Sequence, residues 1–382
     1  MRIVQLVPSL DEGELAQEAL EFAVELARLG HDSAVISAGG ALVSRLTLHN
    51  CQHFELPLNQ RRWLNGRLHR KLRQQVQALD ADILLCRGAQ CAWHGAQVWK
   101  RLPAGSRPRL VTSVHQWPTT GLFRKRRANA ALAQGELVLS ASDELAQQFS
   151  QRHSDTAKLR TLYRGVNTRE LDKNAKVSGH WHHRLLNDFP QLEERNWLLL
   201  PGPIGPGRGQ EQFLELLAVL KQQRQDIFGL IVGEIMPGHE KFARTLERRA
   251  ETMGLSEYVL FLGPRRDMRE LYASARITFD LTGDPGAGQR SSGRVVAESL
   301  AMGCPAVATG GTGIELLKRC FPQGVVTDAG TGSSVSRLEA LASVAGDILQ
   351  QSGPLDFSGF SLTETASQAV DWFNDLQTVS CE

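Results

Sequence analysis

Residues 293–315 read GRVVAESLAMGCPAVATGGTGIE, and this stretch decides the fold. Its first ten residues carry apolar side chains at helical spacing and predict a helix over 293–302. The apolar run Ala306–Ala308 predicts a short buried strand, and a glycine-rich turn and Glu315 follow it. A helix that leads directly into a buried strand is half of a strand–helix–strand unit, which indicates a parallel sheet.

Short apolar runs alternate with helix-like segments on both sides of this stretch. Strands are predicted at Ile3–Val7, Ser33–Ser37, Ile83–Cys86, Leu110–Val114, Leu137–Ser140, Trp197–Leu200, Phe228–Val232, Val259–Leu262 and Ile277–Leu281. Helices are predicted at Leu15–Leu29 and at about 67–78, 90–100, 124–134, 142–152, 209–223, 239–253, 267–274 and 363–377. The alternation predicts an α/β fold with two Rossmann-like, doubly wound parallel sheets.

The polar segment 168–195 interrupts this alternation, and we expect an interdomain connection there that carries one helix. The expected domains are then 1–167 and 196–362, with the C-terminal helix 363–382 packed back on the first. Two such domains facing each other across a cleft would bind ligands at the carboxyl ends of their strands. Dehydrogenases, periplasmic binding proteins and glycosyltransferases all fit this description.

Composition sets broad limits on function. The 382 residues carry a formal net charge of +2, which is not typical of a protein that binds nucleic acid over its whole surface. No two of the six cysteines have CxxC spacing, and the cluster His180–His183 favours a helix start over a zinc site. The opening residues are too short an apolar run for a signal peptide, and no run approaches the ~20 apolar residues of a membrane span. We therefore expect a cytoplasmic protein.

The stretch 293–315 resembles the most recognisable segment of the family-4 retaining glycosyltransferases. The matching positions are Glu298, Ala301, Gly303, Pro305, Val307, Ala308, Gly311 and Glu315. The resemblance extends to 26–37, to His115 at the end of a strand, to Arg164–Asn167 and to 259–272. It implies a GT-B fold, sugar transfer from a nucleotide-diphosphate donor with retention, and no metal.

The resemblance also implies a donor site. Gly293 opens a helix whose free backbone N–H groups and dipole suit a diphosphate, and Arg208 lies in a glycine loop that suits a phosphate. Glu298 is expected to accept hydrogen bonds from the ribose hydroxyls, although a solvated helix carboxylate is the alternative. The expected donor-binding residues are Gly13, Glu14, Gly202, Gly205, Arg208, Gly209, Arg265, Gly293, Arg294, Val295 and Glu298.

His115 and Arg290 are the candidate catalytic residues. By resemblance His115 lies near the donor sugar, and the alternative is a satisfied histidine at a strand end. Arg290 stands where the family has the first of two glutamates, which reverses the charge.

Further departures from the family pattern concern the same site. Glu14 replaces a glycine of the first loop, Pro203 replaces an arginine, and Ser292 replaces an aromatic residue. Two interpretations stay open. In one, the enzyme is active with a rearranged site, Arg290 and Arg208 supply the positive charge, and Asp284 replaces the missing glutamate. In the other, a degenerate relative binds a ligand or partner and transfers nothing.

Basic residues concentrate in 61–73 and 122–127, within the predicted acceptor domain. The candidate membrane or acceptor contacts among them are Arg61, Arg62, Arg67, Arg70, Lys71, Arg124, Lys125, Arg126 and Arg127, together with the aromatic neighbour Trp63. Interleaved with apolar residues, they suit an anionic membrane surface. The alternative is a solvated helix face whose apolar stripe lies in the core.

The sequence therefore predicts a glycosyltransferase that moves a sugar, most simply from a UDP-sugar, to a glycan or glycolipid acceptor of the bacterial cell envelope such as lipopolysaccharide core. We expect it in the cytoplasm, peripherally bound to the inner membrane, without a metal cofactor or a nucleic-acid partner. The alternative is a non-catalytic GT-B binding or scaffold module. A dehydrogenase is a remote option because the first loop lacks GxGxxG.

Overall fold

The computed structural model describes residues 1–11, 13–60, 66–116, 127, 129–282, 292–326, 334–350 and 361–378. The chain divides into two compact units. The first comprises Met1–Gly165 with Phe360–Glu382, and the second comprises Val166–Gly359.

In the first unit, the described residues form a parallel sheet of seven strands. These are β1 (Arg2–Leu6), β2 (Asp32–Ser37), β3 (Gln52–Glu55), β4 (Ile83–Arg87), β5 (Arg109–Val114), β6 (Leu137–Ser140) and β7 (Leu159–Thr161). Their order is β3-β2-β1-β4-β5-β6-β7. Because the order reverses between β1 and β4, the carboxyl ends of these two strands border the crevice where Rossmann-like folds bind ligands.

Helices cover both faces of this sheet. They are α1 (Glu14–Arg28), α2 (Val43–Thr47), α3 (Gly66–Ala78), α4 (Gly88–Trp99), α5 (Asp143–Ser150) and, from the far end of the chain, α13 (Leu362–Thr378). Leu68, Leu72 and Val76 of α3 pack with α4 in the core on one face. On the opposite face, Ala366, Ala369, Val370 and Phe373 of α13 pack against Ile3, Phe22 and Leu85.

The second unit repeats this architecture with a smaller sheet. Its described strands are β8 (Asn196–Pro201), β9 (Ile227–Val232), β10 (Val259–Gly263), β11 (Ile277–Asp280) and β12 (Ala306–Ala308), in the parallel order β10-β9-β8-β11-β12. Its helices are α6 (Gly179–Asp188), α7 (Gln210–Gln223), α8 (Glu240–Thr252), α9 (Met268–Ser274), α10 (Arg294–Ala301), α11 (Gly311–Cys320) and α12 (Ser334–Gln350). The order reverses between β8 and β11, so the loops after these two strands border the second crevice.

The predicted α/β class is confirmed, and most predicted helices and strands begin and end within two residues of their observed bounds. The prediction omits α2, α11, α12 and the short edge strands β3 and β7. Most of the helix predicted at 124–134 lies outside the described residues. In the segment 168–195, α6 packs within the second unit, with Trp181 and Leu185 against Trp197 of β8. None of the helices in the described ranges is long and apolar enough to cross a membrane.

Candidate functional site

A cluster of charged side chains lies at the carboxyl end of the first sheet. Arg87 is the last residue of β4, His115 follows β5, and Glu18 lies on α1 beside both. The guanidinium of Arg87 donates from Nη1 to Glu18 Oε1 at 2.8 Å and from Nε to Gln5 Oε1 at 2.6 Å. Arg87 is 3% exposed, whereas the Glu18 side chain is 25% exposed, so the guanidinium is shielded from water and the carboxylate is partly accessible.

His115 contacts two polar partners. Its Nε2 lies 2.8 Å from the hydroxyl of Ser113, and its Nδ1 lies 3.4 Å from Glu18 Oε2. A second ion pair flanks the cluster, in which Arg164 Nη2 donates to Glu21 Oε2 at 2.9 Å. The first unit therefore gathers two carboxylates, two guanidinium groups and one imidazole within a few side-chain lengths.

These neighbours change the proton affinities in a consistent way. Burial lowers the pKa of His115 and outweighs the opposing effect of the Glu18 charge, while Arg87 and Arg164 lower it further. Burial alone would raise the pKa of Glu18, but the charge of His115 in its protonated form and the permanent charges of Arg87 and Arg164 together lower it. At neutral pH Glu18 is therefore ionised and His115 neutral, and their contact is a dipole–charge contact rather than an ion pair.

The cluster lines a pocket with an empty volume of about 470 Å³, open solvent included. Its walls combine the charged residues above with Leu85 and Leu139 of the sheet and Leu362 and Thr365 of α13. Perturbed titratable groups in a pocket at a sheet's carboxyl end are typical of a functional site.

A glycine loop follows β8 in the second unit. Gly209 has φ +84° and caps α7, whose first turn has no side-chain cap. A Cβ added to Gly209 would lie 2.9 Å from the backbone of Leu281 at the end of β11, so only glycine fits this close approach. Arg208 precedes it, and its Nε is buried with no hydrogen-bond partner among the described residues. A helix start with free N–H groups and an adjacent guanidinium is suited to bind an anion.

A second helix start lies in the same unit. Gly293, with φ +76°, caps α10, and the first turn of α10 again lacks a side-chain cap. One turn in, Glu298 accepts a hydrogen bond on Oε1 from Arg294 Nε at 2.6 Å and one on Oε2 from the hydroxyl of Tyr272 at 3.1 Å. Burial raises the pKa of Tyr272 well above its ordinary value, and the charge of Glu298 raises it further. Tyr272 therefore stays protonated and acts as the donor.

Arg265, expected near the nucleotide, is paired with a carboxylate. Its Nε and Nη2 donate to Asp267 at 2.9 and 2.5 Å, and Trp181 Nε1 donates to the same carboxylate at 2.6 Å. The carboxylate of Asp267 thus joins α6 to the loop before α9. A donor role for Arg265 remains a prediction.

The other predicted donor residues lie near these helix starts or at the start of α1. Gly13 caps α1, and Glu14 is exposed at its first position, where its carbonyl accepts a hydrogen bond from Arg164 Nη1 at 3.4 Å. Gly202 directly follows β8, Gly205 is buried against Met236, and Val295 lies half-buried in the first turn of α10. Arg290 and Asp284 lie outside the described residues.

The predicted basic surface is described in part. Arg67, Arg70 and Lys71 are exposed on α3, and Arg127 is exposed as well, while Leu68 and Leu72 face the core. The apolar stripe of α3 is therefore buried in the core of the first unit. The exposed residues between its two leucines, Arg70 and Lys71, are cationic. Arg61, Arg62, Trp63, Arg124, Lys125 and Arg126 lie outside the described residues.

Within the described ranges, no group of three or more His, Cys, Asp or Glu side chains is arranged to hold a metal ion.

Glu18, Glu21, Arg87 and Tyr272 were not singled out as site residues by the sequence analysis. Arg87 does carry a sequence signal, because a charged residue directly after an apolar strand often lies at the ligand-binding edge of a parallel sheet. Glu18 and Glu21 are three residues apart and so share one face of α1. Their arginine partners are far away in sequence, and no local pattern links them.

Two Rossmann-like units in one chain, each with a charged or glycine-rich carboxyl edge, are consistent with the GT-B class, and the similar solved structures agree with it. Among solved structures, the chain is similar to a glycosyltransferase from Rickettsia africae, with a TM-score of 0.78, 20% identity and 98% of each chain covered. It is similar to Anabaena HepE in complex with UDP and glucose, with a TM-score of 0.72, 18% identity, and 98% and 100% coverage. It is also similar to WaaG, a glycosyltransferase involved in lipopolysaccharide biosynthesis, with a TM-score of 0.61, 16% identity, and 97% and 95% coverage.

Family models match both units. Residues 16–170 match Glycosyltransferase Family 4, and residues 185–340 match Glycosyl transferases group 1. The two matches together span most of the chain, and the chain therefore belongs to the GT4-type glycosyltransferases. A comparison with curated protein sequences found no significant match.

Proposed function

We propose that this protein transfers a sugar from a nucleotide-diphosphate donor to a glycan or lipid-linked acceptor of the cell envelope, with lipopolysaccharide core as the model acceptor and with retention at the anomeric carbon. The observation that carries the donor part is the glycine-started helix α7 in the second unit, beside which Arg208 Nε is buried and has no hydrogen-bond partner among the described residues; α10 likewise begins at a glycine with a left-handed backbone. UDP is the expected nucleotide, since HepE, a GT-B neighbour, has been crystallised with UDP and with UDP-glucose.

In the proposed reaction the acceptor hydroxyl attacks the anomeric carbon from the face that the diphosphate leaves. The anomeric C–O bond breaks with its electron pair going to the diphosphate, and the acceptor proton passes to a phosphate oxygen. The backbone N–H groups at the start of α10 and the guanidinium of Arg208 would stabilise the charge that develops on the diphosphate. Arg290 is proposed to add positive charge to the same site.

His115 is proposed to contact the donor sugar. Its low pKa keeps the ring neutral at pH 7, so it would act by hydrogen bonding rather than by charge. The first unit, which holds this pocket, is proposed to receive the acceptor.

Calorimetric titration with UDP, GDP and ADP tests the donor assignment. We expect one nucleotide to bind in the micromolar to millimolar range, with Arg208→Met weakening it by roughly ten- to a hundredfold, as expected for one lost charge-assisted hydrogen bond. Arg244→Met on the exposed face of α8 is the matched control and should leave binding unchanged. Absence of binding by all three nucleotides at millimolar concentration would exclude the proposed donor site.

Binding without turnover would favour the second function, a non-catalytic binding module. The observation that keeps this alternative open is Glu14, which places an exposed carboxylate at the start of α1, where the family resemblance implies glycine. Product analysis with the bound nucleotide's glucose conjugate and a lipopolysaccharide acceptor separates the two functions.

A peripheral membrane location on the cytoplasmic face is proposed on the exposed cations of α3 and Arg127. Each basic residue near an anionic lipid surface contributes about 1 kcal/mol at low salt. Co-sedimentation with vesicles containing phosphatidylglycerol should therefore fall when Arg67, Arg70 and Lys71 are changed to Gln, and should not occur with neutral vesicles.

A further inference from the structure

The carboxylate of Glu298 is held from both sides by side chains of its own unit. Arg294 Nε binds Oε1 at 2.6 Å and the Tyr272 hydroxyl binds Oε2 at 3.1 Å. The Glu298 side chain is 16% exposed, so a limited part of it remains open to a ligand. A carboxylate oxygen can accept two hydrogen bonds, so each oxygen retains capacity for one more donor.

Tyr272 is fixed in turn by the core. It is 1% exposed and packs with Leu271, Met302 and Trp197 in the main apolar cluster of the second unit. A buried ring with two side-chain torsions has little freedom, so its hydroxyl directs Glu298 Oε2 more rigidly than a surface residue would. The carboxylate is therefore oriented before any ligand arrives.

We propose that Tyr272 is a positioning residue that makes the donor site selective for ribose over deoxyribose. This rests on the proposed function, in which Glu298 accepts the two ribose hydroxyls. With Oε1 held by Arg294 and Oε2 by Tyr272, each oxygen can accept one further hydrogen bond, which is the number that two adjacent ribose hydroxyls would donate. A nucleotide without these hydroxyls leaves that acceptor capacity unused, and it gains nothing from the fixed orientation.

The test uses the full chain and two ligands, UDP and 2′,3′-dideoxy-UDP, with the GDP and ADP pairs in parallel. Tyr272→Phe keeps the buried ring and removes the hydroxyl. We expect it to weaken UDP binding by roughly three- to tenfold, the effect of one hydrogen bond, and to change dideoxy-UDP binding by less than twofold. In an E298A background, Y272F should have no further effect on UDP.

Tyr258→Phe is the matched control, because it removes a hydroxyl elsewhere in the same unit. It should leave both affinities unchanged. Thermal melting of each variant, read by circular dichroism, checks that the second unit remains folded.

Two results would overturn the inference. The first is a Y272F variant that binds UDP as tightly as the wild type does. The second is a Y272F variant whose affinities for UDP and dideoxy-UDP fall by the same factor, since an equal loss indicates a structural role alone. If the wild type binds none of the three ribonucleotides, the proposed function itself fails. If the wild type binds UDP and Y272F binds it with the same affinity, only the inference about Tyr272 fails.

Discussion

The buried histidine pair between α3 and α4 should make the first unit sensitive to mild acid. His69 Nε2 lies 3.0 Å from His94 Nδ1, and His94 is 1% exposed. Burial and, to a smaller extent, the neighbouring His69 together lower the pKa of His94 from 6.5 to about 4. Burial lowers the pKa of His69 as well, and Arg101 adds to that effect. No carboxylate is among the groups that shift the pKa of either histidine. A proton on this pair would therefore lack a compensating negative charge from those groups.

The direction of the effect follows from these values. Because the folded pKa lies below the unfolded one, the unfolded chain binds the proton first as the pH falls, and stability declines from about pH 6.5 towards pH 4. At pH 5 about 1.5 pH units of this difference have taken effect, at about 1.4 kcal/mol per unit. The expected loss is about 2 kcal/mol, or about 4–8 °C in the Tm of a unit of this size.

Thermal melting at pH 7 and pH 5 measures this loss, with His94→Gln as the test variant. Glutamine does not titrate and can still accept a hydrogen bond from His69, so the drop in Tm should shrink by about 4–8 °C in the variant. His49→Gln, an exposed histidine of the same unit, is the control and should behave like the wild type. If wild type and His94→Gln lose the same Tm between the two pH values, His94 does not titrate as its burial implies and the reasoning is wrong.

Two further predictions concern the carboxyl edges of the sheets. Gly209→Ala should destabilise the second unit by about 2–4 kcal/mol in urea unfolding, from the left-handed backbone and the contact with Leu281, whereas Gly238→Ala, also left-handed but with no atom within 4 Å, should cost about 1–2 kcal/mol. Arg87→Met should cost the first unit about 3 kcal/mol by leaving Glu18 without its closest cation, and adding Glu18→Gln should restore part of the loss. A double variant less stable than Arg87→Met would contradict this account of the pair.

Sequence periodicity predicts most of the fold because both sheets are buried on two faces. Strands such as Leu137–Ser140 and Ala306–Ala308 are buried throughout and almost entirely apolar, and the observed bounds match the predicted ones. The edge strand β3, QHFE, carries exposed and half-buried residues and gives no such signal. The helix α11 begins with Gly311, Thr312 and Gly313, a composition typical of a turn, so tertiary packing decides its conformation.

The candidate site divides in the same way. Local patterns predict Gly209 and Gly293 as helix starts, and the family resemblance of the stretch 293–315 adds Glu298. The Glu18–Arg87 pair joins residues 69 positions apart and appears when the sheet brings β4 beside α1. This pair is recognised only by the proximity of two opposite charges in the folded structure, and a single sequence does not contain that information.

The packing of α13 on the first sheet has a consequence for biosynthesis. Ala366, Ala369 and Phe373 cover a face that also contains Ile3 and Leu85, yet the ribosome makes α13 after the entire second unit. An apolar face of the nascent first unit therefore remains exposed while residues 166–359 are synthesised. At about 5–20 residues per second, this synthesis lasts roughly ten to forty seconds. During that interval the uncovered face is open to association with other apolar surfaces, and the last helix removes this exposure when it folds onto the sheet.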